Sequence, residues 1–400
     1  MNAEMLADIA QDHAELTAIR RDIHAHPELG LEEVRTAALV AAKLREWGVE
    51  VTEGVGITGV VGVIRGTRPV GASNRERAIG LRADMDALAI IEQTGVPYAS
   101  ENPGVMHACG HDGHTAMLLG AAKYLTRNRD FAGTVNLIFQ PAEEGRGGAL
   151  AMLKDGLFDR FPCDAIYGMH NSPGQTVGTF ATRKGPMLAA AGSWKVVFRG
   201  TGGHGGATPH LATDVSIAQA QFIMALQTVV SRNVPPIETA VISVGSIHGG
   251  SNQASNVMPS EIEITGTMRA YTKAVMETIG ARLAAIAQAT ADCNQCRAEV
   301  TADWGFTPLI NLAEQTDIAV AAARAIVGAD AVEPNVPPIT AGEDFAFMME
   351  QRPGAFIFLG NGRAADGSVH QVHTPLFNFN DAAIPYGVAY WAQLVQQELG

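Results

Sequence analysis

One short segment of the sequence combines two side chains that bind metal ions. In MHACGHDGHTAM, residues 106–117, Cys109 and His111 lie two positions apart beside a glycine, just before a helical pattern. Thiolate and imidazole groups are ligands for borderline metal ions, and glycine allows the backbone to turn so that both face one ion. A buried thiol beside hydrogen-bonded histidines would give the same pattern, so the spacing alone leaves both interpretations open.

Two adjacent acids form a second candidate. Glu143 and Glu144, in FQPAEEGRGG, follow a predicted strand that ends at Gln140. One carboxylate could bind a metal ion while its neighbour takes a proton from a metal-bound water. The alternative is the start of a helix, where acidic residues are favoured by the helix dipole. For an isolated pair of glutamates, this alternative is the more common explanation.

Two histidines complete the set. His170, in AIYGMHNSPG, ends an apolar run, and His373, in VHQVHTPLFNFND, lies late in the chain. Taken alone, each is explained by a hydrogen-bonded structural histidine. Taken together with the two earlier segments, all four groups follow predicted strands of one domain. The long interval between His170 and His373 is what an inserted domain would create.

Alternating patterns predict the elements that position these residues. Residues 12–48 carry two helical patterns, the first ending near Pro27 and the second at Gly48. The runs GVVGVI, AIGLRAD, TVNLIFQ and DAIYGMH are short and apolar, and helix-length segments such as HTAMLLGAAKYLTRN separate them. This alternation predicts an α/β domain with a mostly parallel sheet flanked by helices. Ligands of such sheets bind beyond the carboxyl ends of the strands, where the polar clusters fall.

The pattern changes from about Ser193, where strands and long helices predict helices packed on a small antiparallel sheet. The α/β alternation returns after Cys296. We therefore predict a metal-binding catalytic domain over residues 1–187 and 296–400. A smaller two-layer α+β domain over residues 188–295 interrupts it and would serve as a lid or dimerisation domain.

Composition excludes several classes of protein. The chain has 400 residues, of which 47% are hydrophobic and 17% charged, as in folded proteins of two domains. Its net charge of −13 disfavours binding to nucleic acid or to an anionic membrane. No secretory signal or membrane-spanning run is evident, and four cysteines are too few for a disulfide framework. We expect a cytoplasmic protein.

An ordered set of motifs resembles the hippurate hydrolase and N-acyl-L-amino-acid amidohydrolase family, which includes plant auxin-conjugate hydrolases. The motifs are MHACGHDGHTAMLLGAA, QPAEEGRGGA, MHN, GGHGGATPH, NVMPSEIEITGTMR, AGEDFAF and HTPLFNFND. The resemblance extends from RRDIHAHPELG to the last helix, which is essentially the whole chain.

The resemblance implies two divalent metal ions in each subunit, held by five side chains. Cys109 would bridge the two ions. Glu144 and His373 would complete one site, and His111 and His170 the other. Zinc, manganese, cobalt and nickel all suit a mixed thiolate, imidazole and carboxylate set.

The resemblance also implies roles around the metal ions. Glu143 would be the general base and later the acid, and we expect Asp86 to orient a metal ligand. His204 is similar to a histidine that, in related enzymes, reaches the site from the partner subunit to hold the oxyanion, which requires a homodimer or homotetramer. Arg269 and Asn256 are candidates for binding the substrate carboxylate.

The activity implied is hydrolysis of the amide bond of small N-acyl amino acids, with acetyl, benzoyl or longer acyl groups. A dipeptidase or an N-acetyl-diaminopimelate-type deacetylase would share the site and differ in the pocket. A non-catalytic metal-binding protein is a third alternative. Glu143 argues against it, because a protein that only holds metal needs ligands and no additional base.

Overall fold

The structure, a computed structural model, describes residues 3–69 and 76–400. The strands are β1 Glu50–Val55, β2 Gly59–Arg65, β3 Ala78–Asp84, β4 Thr134–Gln140, β5 Ala165–Pro173, β6 Phe180–Ala181, β7 Gly185–Leu188, β8 Ala190–Arg199, β9 Gly203–His204, β10 Ala240–Gly249, β11 Val257–Met258, β12 Glu261–Ala270, β13 Arg297–Phe306, β14 Leu309–Asn311, β15 Val332–Glu333 and β16 Gly354–Gly362. The helices are α1 Ala3–Ala25, α2 Val34–Glu46, α3 His111–Arg127, α4 Gly148–Lys154, α5 Leu157–Arg160, α6 Val215–Thr228, α7 Lys273–Cys293, α8 Ala313–Val327, α9 Phe345–Met349 and α10 Ile384–Leu399.

The chain divides into two compact units. The larger unit consists of Met1–Met187, Ile310–Pro337 and Asp344–Gly400, and the smaller unit of Leu188–Leu309 and Pro338–Glu343. The smaller unit therefore extends past residue 295, where the sequence suggested its end. The reason is that β13 pairs along its length with β8, so that it belongs to the antiparallel sheet.

The larger unit is built on an eight-stranded sheet with the order β1-β2-β4-β3-β5-β16-β6-β15. The central pairs β3/β4, β3/β5 and β5/β16 are parallel, which confirms the predicted α/β fold with a mostly parallel sheet. Strands β3 and β4 are buried along almost their whole length, as expected for strands covered on both faces. Helix α10 contacts α1, α3 and α8, and its Tyr390 and Trp391 are buried in the core.

The carboxyl ends of the central strands meet at one edge of this sheet. Asp84 ends β3, Gln140 ends β4 and His170 lies in the second half of β5. Helix α3 starts at the same edge, directly after Gly110, whose φ of 97° is in the left-handed region. A Cβ atom at Gly110 would also lie 2.2 Å from Oδ1 of Asn171, so this turn requires glycine.

The smaller unit is an antiparallel sheet with the order β10-β12-β8-β13, packed against α6 and α7. Its core contains Trp194, Phe198 and Phe222, and the ring of Phe222 contacts each of the other two edge to face. A two-stranded ribbon of β9 and β11 stands apart from this sheet and carries His204, paired with Val257. None of the helices in the described part of the chain is long and apolar enough to cross a membrane.

The first two helices differ from the predicted bounds. Helix α1 begins at Ala3 rather than near residue 12, because Met5 and Ile9 continue its buried face. Helix α2 begins only at Val34, because Leu31 has a φ of 66° and Glu33 occupies the N-cap position. The segment between the two helices is therefore an ordered loop.

The last turn of α1 is anchored by a buried histidine. Nδ1 of His24 lies 2.8 Å from Asp112 and Nε2 lies 3.3 Å from Glu92, so both ring nitrogens face carboxylates. Burial opposes a charged ring, yet the hydrogen bonds to Asp112 and Glu92 outweigh it and raise the pKa of His24 to about 9. His24 is therefore an imidazolium at neutral pH.

The raised pKa of His24 predicts a pH-dependent contribution to stability. It should be fully present below about pH 6.5, the ordinary histidine pKa, and be lost as the pH rises through about 9. The contribution should be on the order of 3 kcal/mol. Unfolding free energies of the wild type and His24→Gln between pH 6 and 10 test this. The difference in unfolding free energy between the two proteins should decrease with rising pH. A difference at pH 10 equal to that at pH 6 would contradict the prediction.

Candidate metal centre

Two groups of three metal-binding atoms share the Cys109 thiol. One group consists of Cys109, His111 and His170, and the other of Cys109, Glu144 and His373. Within each group all ligand atoms lie within 4.8 Å of one another. The five side chains singled out as metal ligands from the sequence thus come together in the larger unit, in two groups joined at one sulfur atom.

Different elements position the five side chains. Cys109 precedes α3, and His111 is the first residue of that helix. His170 projects from β5, and its Nε2 lies 3.2 Å from Sγ of Cys109. Glu144 follows β4, while His373 belongs to the loop before α10, and its Nε2 lies 3.0 Å from Oε1 of Glu144.

The electrostatics of this cluster suit a cation. Burial and the neighbouring carboxylates, Glu144 first among them, raise the pKa of the Cys109 thiol. Burial and the neighbouring ring of His114 lower the pKa of His170, which leaves its imidazole neutral, as a metal ligand must be. A divalent cation would favour the thiolate and offset the carboxylate charge around it.

The surroundings of His111 also favour a positive charge. Although burial opposes protonation, Asp84 and Asp86 outweigh it and raise the pKa of His111 to about 10. None of the described residues forms a hydrogen bond with its buried Nε2. A proton on this ring provides the charge that a metal ion would provide when bound at Nε2. The donor set therefore fits a metal centre.

Asp86 links two parts of the cluster. Its Oδ1 lies 3.2 Å from Nδ1 of His111, and its Oδ2 accepts a hydrogen bond of 2.9 Å from the backbone N–H of Glu144. The side chain is 1% exposed. This contact occupies Nδ1 of the His111 ring and leaves Nε2, which lies 3.7 Å from Oδ2 of Asp84, as the nitrogen available to a metal ion, the arrangement that orients a ligand imidazole.

Replacing Asp86 by asparagine should weaken metal binding by roughly 10–100-fold, because the single amide oxygen cannot accept hydrogen bonds from both His111 and the Glu144 backbone, as the two carboxylate oxygens do. Titration of the metal-free protein with Zn²⁺ or Mn²⁺ by calorimetry would measure this change. Asp159, an exposed acid on α5, provides a matched control as Asp159→Asn. Equal affinities in the wild type and Asp86→Asn would show that Asp86 does not orient the ligand.

Two residues of the cluster region have backbone conformations that are rare for residues with side chains. Ala142, directly before the two glutamates, has a φ of 52°, and His373 has a φ of 63°. Each such conformation costs on the order of 1–2 kcal/mol in free energy. The surrounding structure must supply this energy, and strained positions of this kind are concentrated at functional sites.

Glu143 lies beside the two groups. Its side chain is largely buried, and one of its carboxylate oxygens is close to ligand atoms of His111 and Glu144. Oε1 of Glu143 accepts a hydrogen bond of 3.3 Å from the backbone N–H of Asp344. A carboxylate held next to two candidate metal sites can accept a proton from a water molecule bound there.

A buried ionic network that was not predicted from the sequence lies behind this edge of the sheet. Arg82 donates hydrogen bonds to Asp84 at 2.7 Å and to Asp344 at 3.3 Å. Asp84 in turn contacts Nδ1 of His114 at 2.6 Å. All four side chains are almost completely buried. No local pattern marks them, since the two acids lie in segments far apart in the sequence.

The other three predicted site residues belong to the smaller unit. Nδ1 of His204 accepts backbone hydrogen bonds from Gly206 and Ala207, and the side-chain amide of Asn256 lies 3.4 Å from Nε2 of His204. Arg269, on β12, donates to the carbonyl of Met268 at 2.8 Å. The structure thus brings His204 and Asn256 together and places Arg269 in the sheet.

The fold and this cluster define a class: an α/β protein with a candidate site for two metal ions at the carboxyl edge of its parallel sheet. The sequence profile of Peptidase family M20/M25/M40 matches residues 80–397. The chain belongs to this family.

Particular relatives confirm the resemblance found in the sequence. The chain is 40% identical over 395 residues to a hippurate hydrolase from Campylobacter jejuni, covering 99% of each chain. It is 41% identical over 371 residues to an N-acetyl-L-cysteine deacetylase from Bacillus subtilis, covering 92% of this chain and 85% of the relative. A crystal structure of a dinuclear metal binding peptidase of the M20 family from Bacillus subtilis is similar with a TM-score of 0.82 and 31% identity, covering 96% of this chain and 98% of that one.

Proposed function

We propose that the protein is a metal-dependent hydrolase that cleaves the amide bond of N-acyl amino acids into a carboxylic acid and a free amino acid. The observation that carries this proposal is the pair of donor groups that share Cys109, with Glu143 beside them. The relatives named hippurate hydrolase and N-acetyl-L-cysteine deacetylase support it, because both names describe hydrolysis of an N-acyl amino acid.

Five side chains would hold two divalent ions. Cys109 would bridge them, with Glu144 and His373 on one side and His111 and His170 on the other. When bound, the ions supply a water molecule of lowered pKa and polarise the carbonyl of the substrate. A mixed donor set of one thiolate, three imidazoles and one carboxylate admits zinc, manganese, cobalt or nickel.

Glu143 would move the proton. Its carboxylate accepts a proton from the attacking water and then donates it to the leaving nitrogen of the amide. The hydrogen bond from the Asp344 backbone to Oε1 holds the Glu143 carboxylate in place beside the candidate metal ligands. A general base in this position contributes roughly 10²–10⁴-fold to the rate.

His204 would stabilise negative charge on the carbonyl oxygen of the substrate. Two backbone N–H groups donate to its Nδ1, which leaves Nε2 as the ring nitrogen that would donate a hydrogen bond to the oxygen. Following the resemblance, we propose that His204 acts on the metal centre of a second copy of the chain. Arg269 and Asn256 would bind the carboxylate of the amino-acid half of the substrate.

A homodimer formed through the smaller unit would make this possible. Strand β10 lies at the edge of the antiparallel sheet, and large apolar side chains are exposed near it. Ile237, just before β10, is 94% exposed, and Ile247, within β10, is 48% exposed. Exposed apolar side chains beside an unpaired strand edge are typical of a protein interface.

A substrate panel tests the proposed activity. N-acetyl, N-benzoyl and long-chain acyl amino acids would be assayed for release of the free amino acid, with added Zn²⁺ or Mn²⁺ and after exhaustive chelation. Dipeptides and N-acetyl-diaminopimelate in the same panel distinguish the two alternative hydrolases. We expect metal-dependent release from N-acyl amino acids. Release that persists after complete metal removal would refute the proposal.

A further inference from the structure

The turn that follows β4 carries both candidate glutamates and contains a residue with an unfavourable backbone conformation. It runs from Pro141 to Glu144, and Ala142 has a φ of 52°. This torsion sets the direction in which the chain enters Glu143. Because residues with a side chain rarely adopt this conformation, contacts from outside the turn must hold it.

A buried carboxylate from a distant segment provides such a contact. Glu33 lies in the loop between α1 and α2 and is completely buried. Its Oε1 accepts a hydrogen bond of 2.8 Å from the backbone N–H of Ala142, and its Oε2 accepts one of 2.6 Å from the hydroxyl of Thr58. Among the described residues, Glu33 belongs to none of the groups that could hold a metal ion. The oxygen that accepts the hydrogen bond from Ala142 therefore comes from a side chain outside those groups.

The same loop also packs directly on the turn. A Cβ atom added to Gly30 would lie 2.9 Å from both Cα and Cβ of Ala142, closer than two such atoms can approach. Glycine at this position therefore lets the loop contact the backbone of the turn. Contact from Gly30, the hydrogen bond to Glu33 and a hydrogen bond of 3.0 Å from the backbone N–H of Gly148 to the Ala142 carbonyl together hold Ala142 in place.

The rest of the turn is held by other partners. The backbone N–H of Glu144 donates to Asp86, and Oε1 of Glu143 accepts from the backbone N–H of Asp344. These two contacts fix the residues that approach the metal-binding groups. Glu33 supplies the side-chain hydrogen bond to the residue before them.

We propose that Glu33 is a positioning residue for Glu143: by holding the backbone N–H of Ala142, it keeps the turn in the conformation that directs the Glu143 carboxylate to the metal-binding groups. The inference rests on the proposed function, in which Glu143 is the general base. It assigns a role to the HPELGLEE segment, which contributes no metal ligand.

Replacing Glu33 by alanine should lower kcat by about 10–100-fold, because a small misplacement of a catalytic group has this effect. KM and the metal content should remain close to the wild-type values. Glu33→Gln should retain most of kcat, since its amide oxygen can still accept the hydrogen bond from Ala142. Gly30→Ala displaces the same turn without removing the buried carboxylate and should lower kcat in the same way, so it serves if Glu33→Ala does not fold.

Glu28 provides a matched control in the same loop. Its two carboxylate oxygens accept backbone hydrogen bonds from Arg35 and Thr36 at the start of α2, at 2.9 and 2.8 Å. Glu28→Ala should therefore lower the unfolding temperature without lowering kcat. An equal loss of kcat in Glu28→Ala and Glu33→Ala would overturn the proposal, because the effect would then be general damage to the loop.

A double-mutant cycle separates this inference from the proposed function. If Glu33 acts through Glu143, adding Glu33→Ala to Glu143→Gln should not reduce the residual rate further. A full additional loss in the double variant overturns the positioning role, as does wild-type kcat in Glu33→Ala. Full activity of Glu143→Gln alone would instead refute the proposed base, and with it the mechanism.

Discussion

Replacing Glu143 by glutamine is expected to lower kcat by roughly 10²–10⁴-fold, the range for loss of a general base. Glutamine has the size of glutamate and can keep the hydrogen bond from the Asp344 backbone, but it cannot accept a proton from the attacking water. The metal content should stay at the wild-type level, because Glu143 belongs to neither of the two donor groups that share Cys109. Steady-state kinetics and elemental analysis of the purified variant measure both quantities.

A neighbouring acid serves as the control for this variant. Glu32 is exposed and forms a surface ion pair with Arg146, so Glu32→Gln changes a similar charge without touching the cluster. Its kcat should equal that of the wild type. Full activity in Glu143→Gln would show that another group moves the proton, while loss of metal in this variant would show that Glu143 is a ligand.

Replacing Cys109 by serine is expected to remove metal binding and activity together. The thiol is the one atom that both donor groups share, so its loss leaves two donors in each. A serine hydroxyl is a weak ligand for the borderline metal ions that the site suits. The fall in affinity should exceed the roughly 10–100-fold expected for a residue that only orients a ligand. Calorimetric titration and elemental analysis check this prediction.

Cys163 is the matched control for the thiol. It is buried beside Asn136 and lies in none of the metal-binding groups found in the described residues. Cys163→Ser should cost some stability and leave the metal content and kcat unchanged. If Cys109→Ser kept both ions with wild-type affinity, the two donor groups would not form a shared centre.

Much of the metal centre could be predicted from the sequence because its parts follow strand ends. Cys109, His111, Glu144 and His170 lie beyond or near the carboxyl ends of parallel strands, and such ends meet at one edge of a sheet. Among the polar residues near these strand ends, the candidate ligands were then selected because thiol, imidazole and carboxylate groups bind metal ions. His373 also follows a strand, β16, but a loop separates the two, so its assignment as a ligand required the ordered set of motifs.

The residues that support the centre could not be predicted in this way. Glu33 contacts the backbone of a residue 109 positions away, and Asp344 contacts Glu143 from 201 positions away. A carboxylate that accepts a backbone N–H has no sequence signature, since any residue other than proline can be its partner. Only the folded chain shows which segments meet.

The predicted end of the smaller unit at residue 295 was wrong for a different reason. The α/β alternation appeared to return after Cys296, yet β13 follows directly and pairs with β8. Its segment AEVTADWGF alternates between apolar and polar residues, a pattern typical of a half-exposed antiparallel strand. The period of two was therefore present in the sequence, and the boundary belongs after this strand.

The division of the larger unit into separate stretches of chain has a consequence for biosynthesis. The ribosome makes Cys109, His111, Glu144 and His170 first, then the whole smaller unit, and His373 only afterwards. A nascent chain that has already folded its antiparallel sheet still lacks one of the five donors. In the proposed two-ion site, the ion held by Glu144 and His373 would therefore gain its full set of donors only after the smaller unit has been made, and metal would have to bind after that stage of synthesis.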